Sequence, residues 1–223
     1  MTHRPTRRGL LALPALLAIP RGAFAQPTAA EIAAWPDRPV RLVVAWPPGG
    51  GNDINARIFA ERMGSTLGKP VVVENRGGSN GVLGTDLVAK SRADGYTLLW
   101  QSVTSHVVNP VVFPRLPFDA ERDIVPVAIP VNGPLTIQVA PRMGFRSLGE
   151  LIEAVRARPG ALSYATFGNG SAAHLAGELL KQSLGLDMVH VPYRGGAQAL
   201  TDTISGAVQI NIGGVNTTAA ALR

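Results

Sequence analysis

The chain has 223 residues, of which 46% are apolar and 16% charged, and it contains 25 Gly, 18 Pro and no Cys. This composition excludes a disordered polyelectrolyte and a disulfide-stapled scaffold. Of the net charge of +6, only +2 remains outside the first 25 positions, which hold four arginines and no acidic residue: Arg4, Arg7, Arg8 and Arg21. A nearly balanced remainder without a basic run argues against a nucleic-acid partner.

The first 25 residues have the pattern of a cleavable export signal. A basic start precedes an apolar stretch from Gly9 to Pro20 and the small-x-small exit Ala23-Phe24-Ala25, which predicts cleavage after Ala25. The stretch is too short for a membrane span, which takes about 20 apolar residues. The run Thr6 to Leu11 (TRRGLL) also resembles a twin-arginine signal, so that route and the ordinary secretory route both stay open. We predict a periplasmic protein.

From Trp35 onward, apolar β-branched runs alternate with Gly-rich turns and helical patterns, which is typical of βαβ units. In the first half the patterns predict strands at 40–45, 71–74 and 97–100 and helices at 54–67 and 82–89. Between Asn109 and Pro134, prolines recur at short intervals and predict extended segments. We interpret this stretch as the crossing between two lobes.

The βα pattern resumes at Ser147, which with Glu150 forms a capping box: Ser147 accepts the N3 amide while Glu150 reaches back. Predicted helices are 148–158, 172–184 and 197–204, and predicted strands are 162–166, 188–191 and 208–212. The chain stops inside the helix-like run 217–222, so we expect an incomplete chain. The fold class predicted is α/β, with an open, doubly wound, mostly parallel sheet in each lobe, at 36–131 and 132–223.

One Gly-rich loop follows the first strand and precedes the first helix of the pattern: Trp46-Pro47-Pro48-Gly49-Gly50-Gly51-Asn52-Asp53. A helix start has unpaired N–H groups and a partial positive charge, so it suits an anion. The loop lacks the Lys-Ser/Thr of a phosphate-binding loop, and the motif Gly-x-x-x-x-Gly-Lys-Ser/Thr is absent from the sequence, which argues against a nucleotide triphosphatase. A tight turn capped by Asn52 or Asp53 is the alternative.

A second loop of this kind lies in the other lobe: Phe167-Gly168-Asn169-Gly170-Ser171-Ala172-Ala173-His174. Two helix starts that face each other would hold one ligand from both sides, and neutral donors favour a small carboxylate over a polyphosphate. The spacing Gly168-x-Gly170-x-x-Ala173 also matches a dinucleotide fingerprint, but Asp187 lies at the near end of the next strand, where it is misplaced for a ribose. Because the spacing matches, an exported dinucleotide-dependent oxidoreductase remains the alternative function.

The sequence predicts neither catalytic residues nor a metal site. Ser171 and His174 are spaced as a nucleophile and base, but the surroundings are not a hydrolase elbow and no acid is placed to orient His174. We expect both to donate hydrogen bonds to an anion. The histidines are too scattered to nominate a metal site, and His190 is interpreted as a core histidine. Trp46 and Tyr193 either wall a pocket or simply pack.

Several stretches together resemble the periplasmic substrate-binding receptors of tripartite tricarboxylate transporters, also called Bug receptors. They occur in one order between about Trp35 and Arg223: Trp35 to Val40, Pro47 to Asp53, Pro70 to Arg76, Asp94 to Leu99, Gly168 to Ser171, His174-Leu175 and His190 to Tyr193. The resemblance implies a monomeric, two-lobed protein of the type II periplasmic-binding-protein fold with a cleft between its lobes. It also implies that the protein binds an organic acid (a di- or tricarboxylate, an amino acid or an aromatic acid) and presents it to membrane transporter subunits, without catalysis or a cofactor.

The resemblance further implies a set of ligand-binding positions. From the first lobe these are Pro48, Gly49, Gly50, Gly51, Asn52, Ser102, Thr104 and Ser105, and from the second Gly168, Asn169, Gly170, Ser171 and His174. Asp53 is assigned to the loop and helix start, because a free carboxylate would repel the ligand. Chains of this family continue past the length seen here, so an inactive remnant is the third alternative.

Overall fold

A computed structural model describes residues 28–221, and the predicted export signal lies outside them. The chain divides into a short N-terminal unit ending at Trp35, in which α1 (Ala29–Ala34) is described, and a body that begins at Pro36. Within residues 28–221, every helix is too short or too polar to span a bilayer.

The first sheet of the body has three parallel strands in the order β2-β1-β3: β1 (Val40–Val44), β2 (Val71–Asn75) and β3 (Thr97–Trp100). Its helices are α2 (Gly51–Leu67), α3 (Val82–Ala89) and α4 (Val103–Val112). The central strand β1 is the most deeply buried, with Val40, Val43 and Val44 fully covered. A strand covered on both faces explains the apolar run from Leu42 to Ala45.

The second sheet has four strands in the order β4-β7-β5-β6: β4 (Leu135–Val139), β5 (Ser163–Thr166), β6 (Val189–Pro192) and β7 (Ile210–Gly214). Strand β4 is antiparallel to β7, and the other pairs are parallel. The helices are α5 (Leu148–Ala157), α6 (Ala172–Leu184), α7 (Gly196–Ser205) and α8 (Val215–Ala221). Tyr164, fully buried, lies at the centre of this core.

Most predicted elements are confirmed within two or three residues, and β3, α3 and α6 match their predicted bounds. The extended crossing was placed too early, because α4 continues through Pro110 to Val112. Pro110 has no N–H to donate to the His106 carbonyl, so α4 lacks one hydrogen bond there, and the helix ends two residues later. Strand β4 was missed, since its pairing with β7, which aligns Leu135 with Gly214, joins positions far apart in the chain.

The capping box at α5 is half confirmed. The Ser147 Oγ accepts the Glu150 N–H at 3.2 Å, as predicted. The Glu150 carboxylate, however, accepts the N–H of Arg146 at 2.7 Å, one residue before the expected partner.

Candidate ligand-binding cleft

A cleft of about 1460 Å³ lies at the carboxyl ends of the strands, with walls from both sheets. Its lining includes Trp46 after β1, Trp100 at the end of β3, Phe167 after β5 and Tyr193 after β6. The rings of Trp46 and Phe167 meet edge to face, with centroids 5.7 Å apart, and so join the two sheets at the cleft wall. In α/β proteins, ligands bind at this end of the strands.

Two helix starts approach each other in this cleft, those of α2 and α7. A Cβ built on Gly50 would lie 3.9 Å from the Gly196 nitrogen, and one on Gly49 would lie 3.7 Å from the Ala197 Cβ. The N-cap residues Gly50 and Gly195 provide no side chain to cap the helices. Their first N–H groups and the positive ends of both helix dipoles are therefore available to an anion.

The helix starts beside that of α2 are thus those of α7 and α8, whereas the sequence pointed to α6; a Cβ on Gly51 would lie 3.2 Å from the Thr217 Oγ1 of α8. The turn before α7 has the same pattern as the two predicted loops, a Gly-rich turn between a strand and a helix: Tyr193-Arg194-Gly195-Gly196. It was not predicted as part of a site. A Cβ on Gly195 would lie 3.2 Å from the Pro47 Cγ, so this turn packs directly on the first Gly-rich loop.

The charge of the cleft wall is positive. Among the described residues that line it, Arg194 is the one charged side chain, and aspartate, glutamate, lysine and histidine are absent from the lining. Arg194 is exposed and makes no hydrogen bond or ion pair with the rest of the described chain. The wall therefore attracts anions without a carboxylate to oppose them.

Asp53 holds the first Gly-rich loop in place from behind. Its carboxylate accepts hydrogen bonds from the Gly49 N–H at 2.9 Å, the Arg57 guanidinium at 3.1 Å and the Asn75 amide at 2.8 Å. Burial raises the pKa of Asp53, but these hydrogen bonds outweigh it and hold the pKa below its ordinary value of 3.8. The assignment of Asp53 to the loop and helix start is confirmed.

The second Gly-rich loop is closed on itself. The Ser171 Oγ donates to the Gly168 carbonyl at 2.7 Å and accepts the His174 N–H at 3.2 Å. The His174 Nδ1 accepts the Gly170 N–H at 3.1 Å. These side chains therefore bond to their own loop, where the sequence suggested that they would donate to an anion.

The structure brings seven of the thirteen predicted ligand positions into the cleft wall: Pro48, Gly50, Gly51, Asn52, Ser102, Gly168 and Asn169. Five stand outside it: Gly49, Ser105, Gly170, Ser171 and His174. The Gly49 N–H is bound to Asp53, and Ser105 is buried within α4. The side chain of Thr104 lies outside the described part of the chain.

Further wall residues come from segments that carried no sequence signal for a site. They are Asn75, Gly77 to Asn80, Gln101 and the extended stretch 128–134. The stretch 128–134 was interpreted only as a crossing, and Asn75 and Gln101 are single polar residues at strand ends. The strand order of the two sheets brings these segments together in the cleft wall.

His190 lies outside this wall, in a packed cluster. Its ring stacks between Tyr164 and His174, with centroids 4.9 and 4.1 Å away, and its Nε2 is 2.8 Å from the Thr166 Oγ1. Burial first, and then the neighbouring charge of His174, lowers the pKa of His190 from 6.5 to about 4. His190 is therefore a structural histidine, as predicted. Nowhere in residues 28–221 do three metal-ligating side chains cluster.

The lowered pKa of His190 predicts acid sensitivity. Between pH 6.5 and about 4 the unfolded chain binds a proton here that the folded chain excludes, so stability falls as the pH drops through this window. A His190→Gln variant lacks the titrating group and should lose less stability than the wild type between about pH 7 and pH 5, measured by urea unfolding. His106→Gln controls for loss of an imidazole elsewhere. Equal losses in wild type and His190→Gln would contradict the prediction.

The dinucleotide fingerprint finds no support in this arrangement. Asp187 lies beside Gly160, with the Gly160 N–H donating to the Asp187 carbonyl at 3.1 Å. Both residues precede their strands, so the Asp187 carboxylate is at the amino end of the sheet, opposite the cleft. A ribose bound near Gly168 would lie at the other end of the strands.

Comparison with known proteins identifies the family. The model of the tripartite tricarboxylate transporter family receptor matches residues 55–223. The chain is 42% identical over 187 residues to the UPF0065 protein in the tcbD-tcbE intergenic region of Pseudomonas sp. (strain P51), covering 84% of this chain and 55% of the relative. It is 40% identical over 190 residues to protein BugT of Bordetella pertussis, and the match covers 85% of this chain and 58% of BugT. The chain thus spans slightly more than half the length of these curated relatives.

Solved structures of similar proteins support the same family. The R. palustris Rpa4515 structure with adipate has a TM-score of 0.82 at 34% identity and covers 84% of this chain and 63% of that one. The periplasmic binding protein BugD has a TM-score of 0.77 at 32% identity, covering 84% and 62%. MatC from Rhodopseudomonas palustris with bound malate has a TM-score of 0.76 at 30% identity, covering 85% and 64%. With a family model that matches most of its length, this chain belongs to the tripartite tricarboxylate transporter receptor family.

Proposed function

We propose that this protein is a periplasmic receptor that binds a small organic carboxylate and delivers it to a tripartite tricarboxylate-type membrane transporter, without catalysing a reaction. The segments 36–131 and 132–223 would form the two lobes that hold the ligand. The ligand would contact the first Gly-rich loop, with Gly50, Gly51 and Asn52, and the second, with Gly168 and Asn169.

One observation carries this proposal: two uncapped helix starts lie side by side at a cleft whose lining holds one positive and no negative side chain among the described residues. Backbone N–H groups at helix starts bind carboxylates without a lysine or a metal. Two neighbours of this fold, at 34% and 30% identity, were solved with adipate and with malate, which supports an organic acid as the ligand here.

The test is the thermal unfolding of the purified chain with a panel of dicarboxylates, tricarboxylates, amino acids and aromatic acids. A ligand at about 100 times its Kd stabilises the folded state by about 2.7 kcal/mol. For a chain of this size that raises Tm by about 5–10 °C. The matching amides, which lack the negative charge, serve as controls and should not shift Tm. Absence of a shift with every acid would contradict the proposal.

Arg194 provides a second arm of this experiment. Arg194→Gln removes the charge of the cleft wall and should weaken the binding of any active acid several-fold, with a smaller dependence of Kd on salt. Arg62→Gln removes the same charge from the exposed face of α2, outside the cleft, and should leave Kd unchanged. Equal effects of the two variants would mean that Arg194 acts only through the net charge.

A further inference from the structure

The sequence contains three Asn-Gly pairs, Asn80-Gly81, Asn132-Gly133 and Asn169-Gly170, and all three asparagines line the cleft. Asparagine followed by glycine is prone to spontaneous deamidation, because glycine has no side chain to hinder the approach of its nitrogen to the asparagine carbonyl carbon. The three pairs look alike along the chain. Their surroundings in the structure differ.

Deamidation involves the backbone as well as the side chain. The glycine nitrogen loses its proton to a base in the solvent and attacks the asparagine Cγ, which forms a C–N bond and closes a five-membered succinimide. The Cγ–Nδ2 bond breaks, and the side-chain nitrogen takes up a proton and leaves as ammonia. Water then opens the ring to aspartate or isoaspartate, which adds one negative charge. The glycine N–H and the asparagine amide must both be free for the ring to close.

The pair at Asn80 is held at both reacting groups. The Asn80 Nδ2 donates to the Asn109 Oδ1 at 2.7 Å and to the Gly170 carbonyl at 3.4 Å. The N–H of the buried Gly81 donates to the Gly78 carbonyl at 3.0 Å. These hydrogen bonds must break before the ring can close, so the fold protects this pair.

The pair at Asn169 is protected at its glycine. The Asn169 side chain is exposed, but the N–H of the buried Gly170 donates to the His174 Nδ1 at 3.1 Å. The nitrogen that would attack is therefore bound to an acceptor on α6. A hydrogen bond that must open first lowers the population of the reactive state about five- to tenfold.

The pair at Asn132 has neither protection. Asn132 and Gly133 are both exposed, and they lie in the extended stretch before β4, outside any helix or strand. Within the described residues, the Asn132 amide and the Gly133 N–H make no hydrogen bond. A Cβ built on Gly133 would meet only the Val215 Cγ1, at 4.0 Å, so the backbone has room to turn.

We propose that Asn132 is a site of spontaneous deamidation, and that the fold directs the reaction to this pair by protecting Asn80 and Asn169. The reaction needs water and no further reagent. It converts a neutral amide of the cleft wall into a carboxylate. Among the described lining residues Arg194 is the one charged side chain, so the modification cancels the net charge of the wall.

The modified pair lies close to the first Gly-rich loop in terms of packing. Gly133 lies against Val215 at the start of α8, and Thr217 of the same helix lies against Gly51. A carboxylate at position 132 therefore opposes an anion held at that loop. This consequence rests on the proposed function: the receptor should bind its acid less tightly as the protein ages.

The test of the site is a peptide map of the purified chain after incubation at mildly alkaline pH. Trypsin places the three pairs in separate peptides, 77–90, 123–142 and 157–181, so each rate is followed by the mass change from NH₂ to OH. A parallel incubation in concentrated urea gives the rates without the fold. We expect equal folded and unfolded rates at Asn132, a folded rate about five- to tenfold lower at Asn169, and a larger reduction at Asn80.

Two variants test the cause of the selectivity. Gly133→Ala fits the space beside Val215 but hinders the attacking nitrogen, and it should slow the reaction at Asn132 about tenfold. His174→Ala frees the Gly170 N–H and should raise the folded rate at Asn169 to the rate in urea, while the rate at Asn132 stays unchanged.

Asn132→Asp reproduces the product and tests its consequence for binding. Isothermal titration with malate and with adipate should give a Kd several-fold weaker than that of the wild type, with a larger difference at low salt. Gln182→Glu adds the same charge to an exposed position of α6, outside the cleft lining, and should leave Kd unchanged.

The outcomes separate the modification from the function. Equal rates at the three pairs in the folded chain, or a rate at Asn132 well below its rate in urea, would overturn the assignment. A slower reaction at Asn169 in His174→Ala would mean that the imidazole acts as the base, which overturns its protecting role. The maps need no ligand, so they decide the modification whether or not the receptor function holds. Wild-type affinity in Asn132→Asp would overturn the binding consequence alone, and a wild type that binds neither acid would count against the proposed function alone.

Discussion

Replacing Asp53 with alanine is expected to lower the free energy of unfolding by about 3 kcal/mol, because a buried carboxylate that accepts three hydrogen bonds is lost. Arg57 is half exposed and can rehydrate, so most of the loss comes from the Gly49 N–H and the Asn75 amide. Released from Asp53, the loop before α2 should also lose its geometry. We therefore expect carboxylate binding to weaken at least tenfold, as measured by calorimetry.

The matched control is Asp86→Ala, which breaks another i,i+4 ion pair, that of the partly buried Asp86 with the exposed Lys90 at the end of α3, at 2.5 Å. A pair with one exposed partner contributes about 1 kcal/mol or less, so urea unfolding should separate the two variants clearly. Similar losses for both would show that Asp53 acts as an ordinary surface charge.

The effect of Asp53 also has a defined pH window. Its pKa is lower in the folded chain than its ordinary 3.8, so its contribution is complete above that pH and is lost as the pH falls below it. Asp53→Asn keeps the side-chain shape without the charge. The stability difference between wild type and this variant should therefore be constant at neutral pH and shrink below about pH 4. A difference that persists at about pH 2 would contradict the assignment.

Gly84→Ala is expected to destabilise the protein by about 2–3 kcal/mol, although alanine is the better helix former. A Cβ at this position in α3 would lie 2.8 Å from both the Ala45 Cα and the Arg76 carbonyl oxygen. Both atoms belong to the backbone and cannot rotate away, so α3 must move off β1. The overpacking outweighs the roughly 1 kcal/mol that alanine adds to a helix.

Gly149→Ala is the control for Gly84→Ala. Its Cβ on α5 would have only the Ser147 Oγ nearby, at an ordinary 3.7 Å, so this change should be neutral or stabilise by up to about 1 kcal/mol. Opposite signs in urea unfolding would confirm that backbone contact determines the difference. If Gly84→Ala were as stable as Gly149→Ala, the packing of α3 on β1 would be looser than described.

The sequence by itself determined most of the helices and strands, and the family. Helix α6 runs from Ala172 to Leu184 as predicted, because its cap at Ser171 and its stop at Gly185 are local interactions between near neighbours. The buried strand β1 was equally clear, since a β-branched run between a polar segment and a Gly-rich turn is a local pattern. Motifs that occur in one order along the chain carried the resemblance to the tripartite tricarboxylate receptors.

Only the tertiary structure decided how those elements meet. Three Gly-rich loops in the sequence look alike, but the strand order β4-β7-β5-β6 brings the start of α7 to Gly50, while Ser171 and His174 bond to their own loop. Strand β4 and the wall position of Asn80 depend on contacts between segments distant in the chain. Periodicity and caps act over a few residues, whereas the partner of a helix start depends on the packing of the whole sheet, which no local pattern contains.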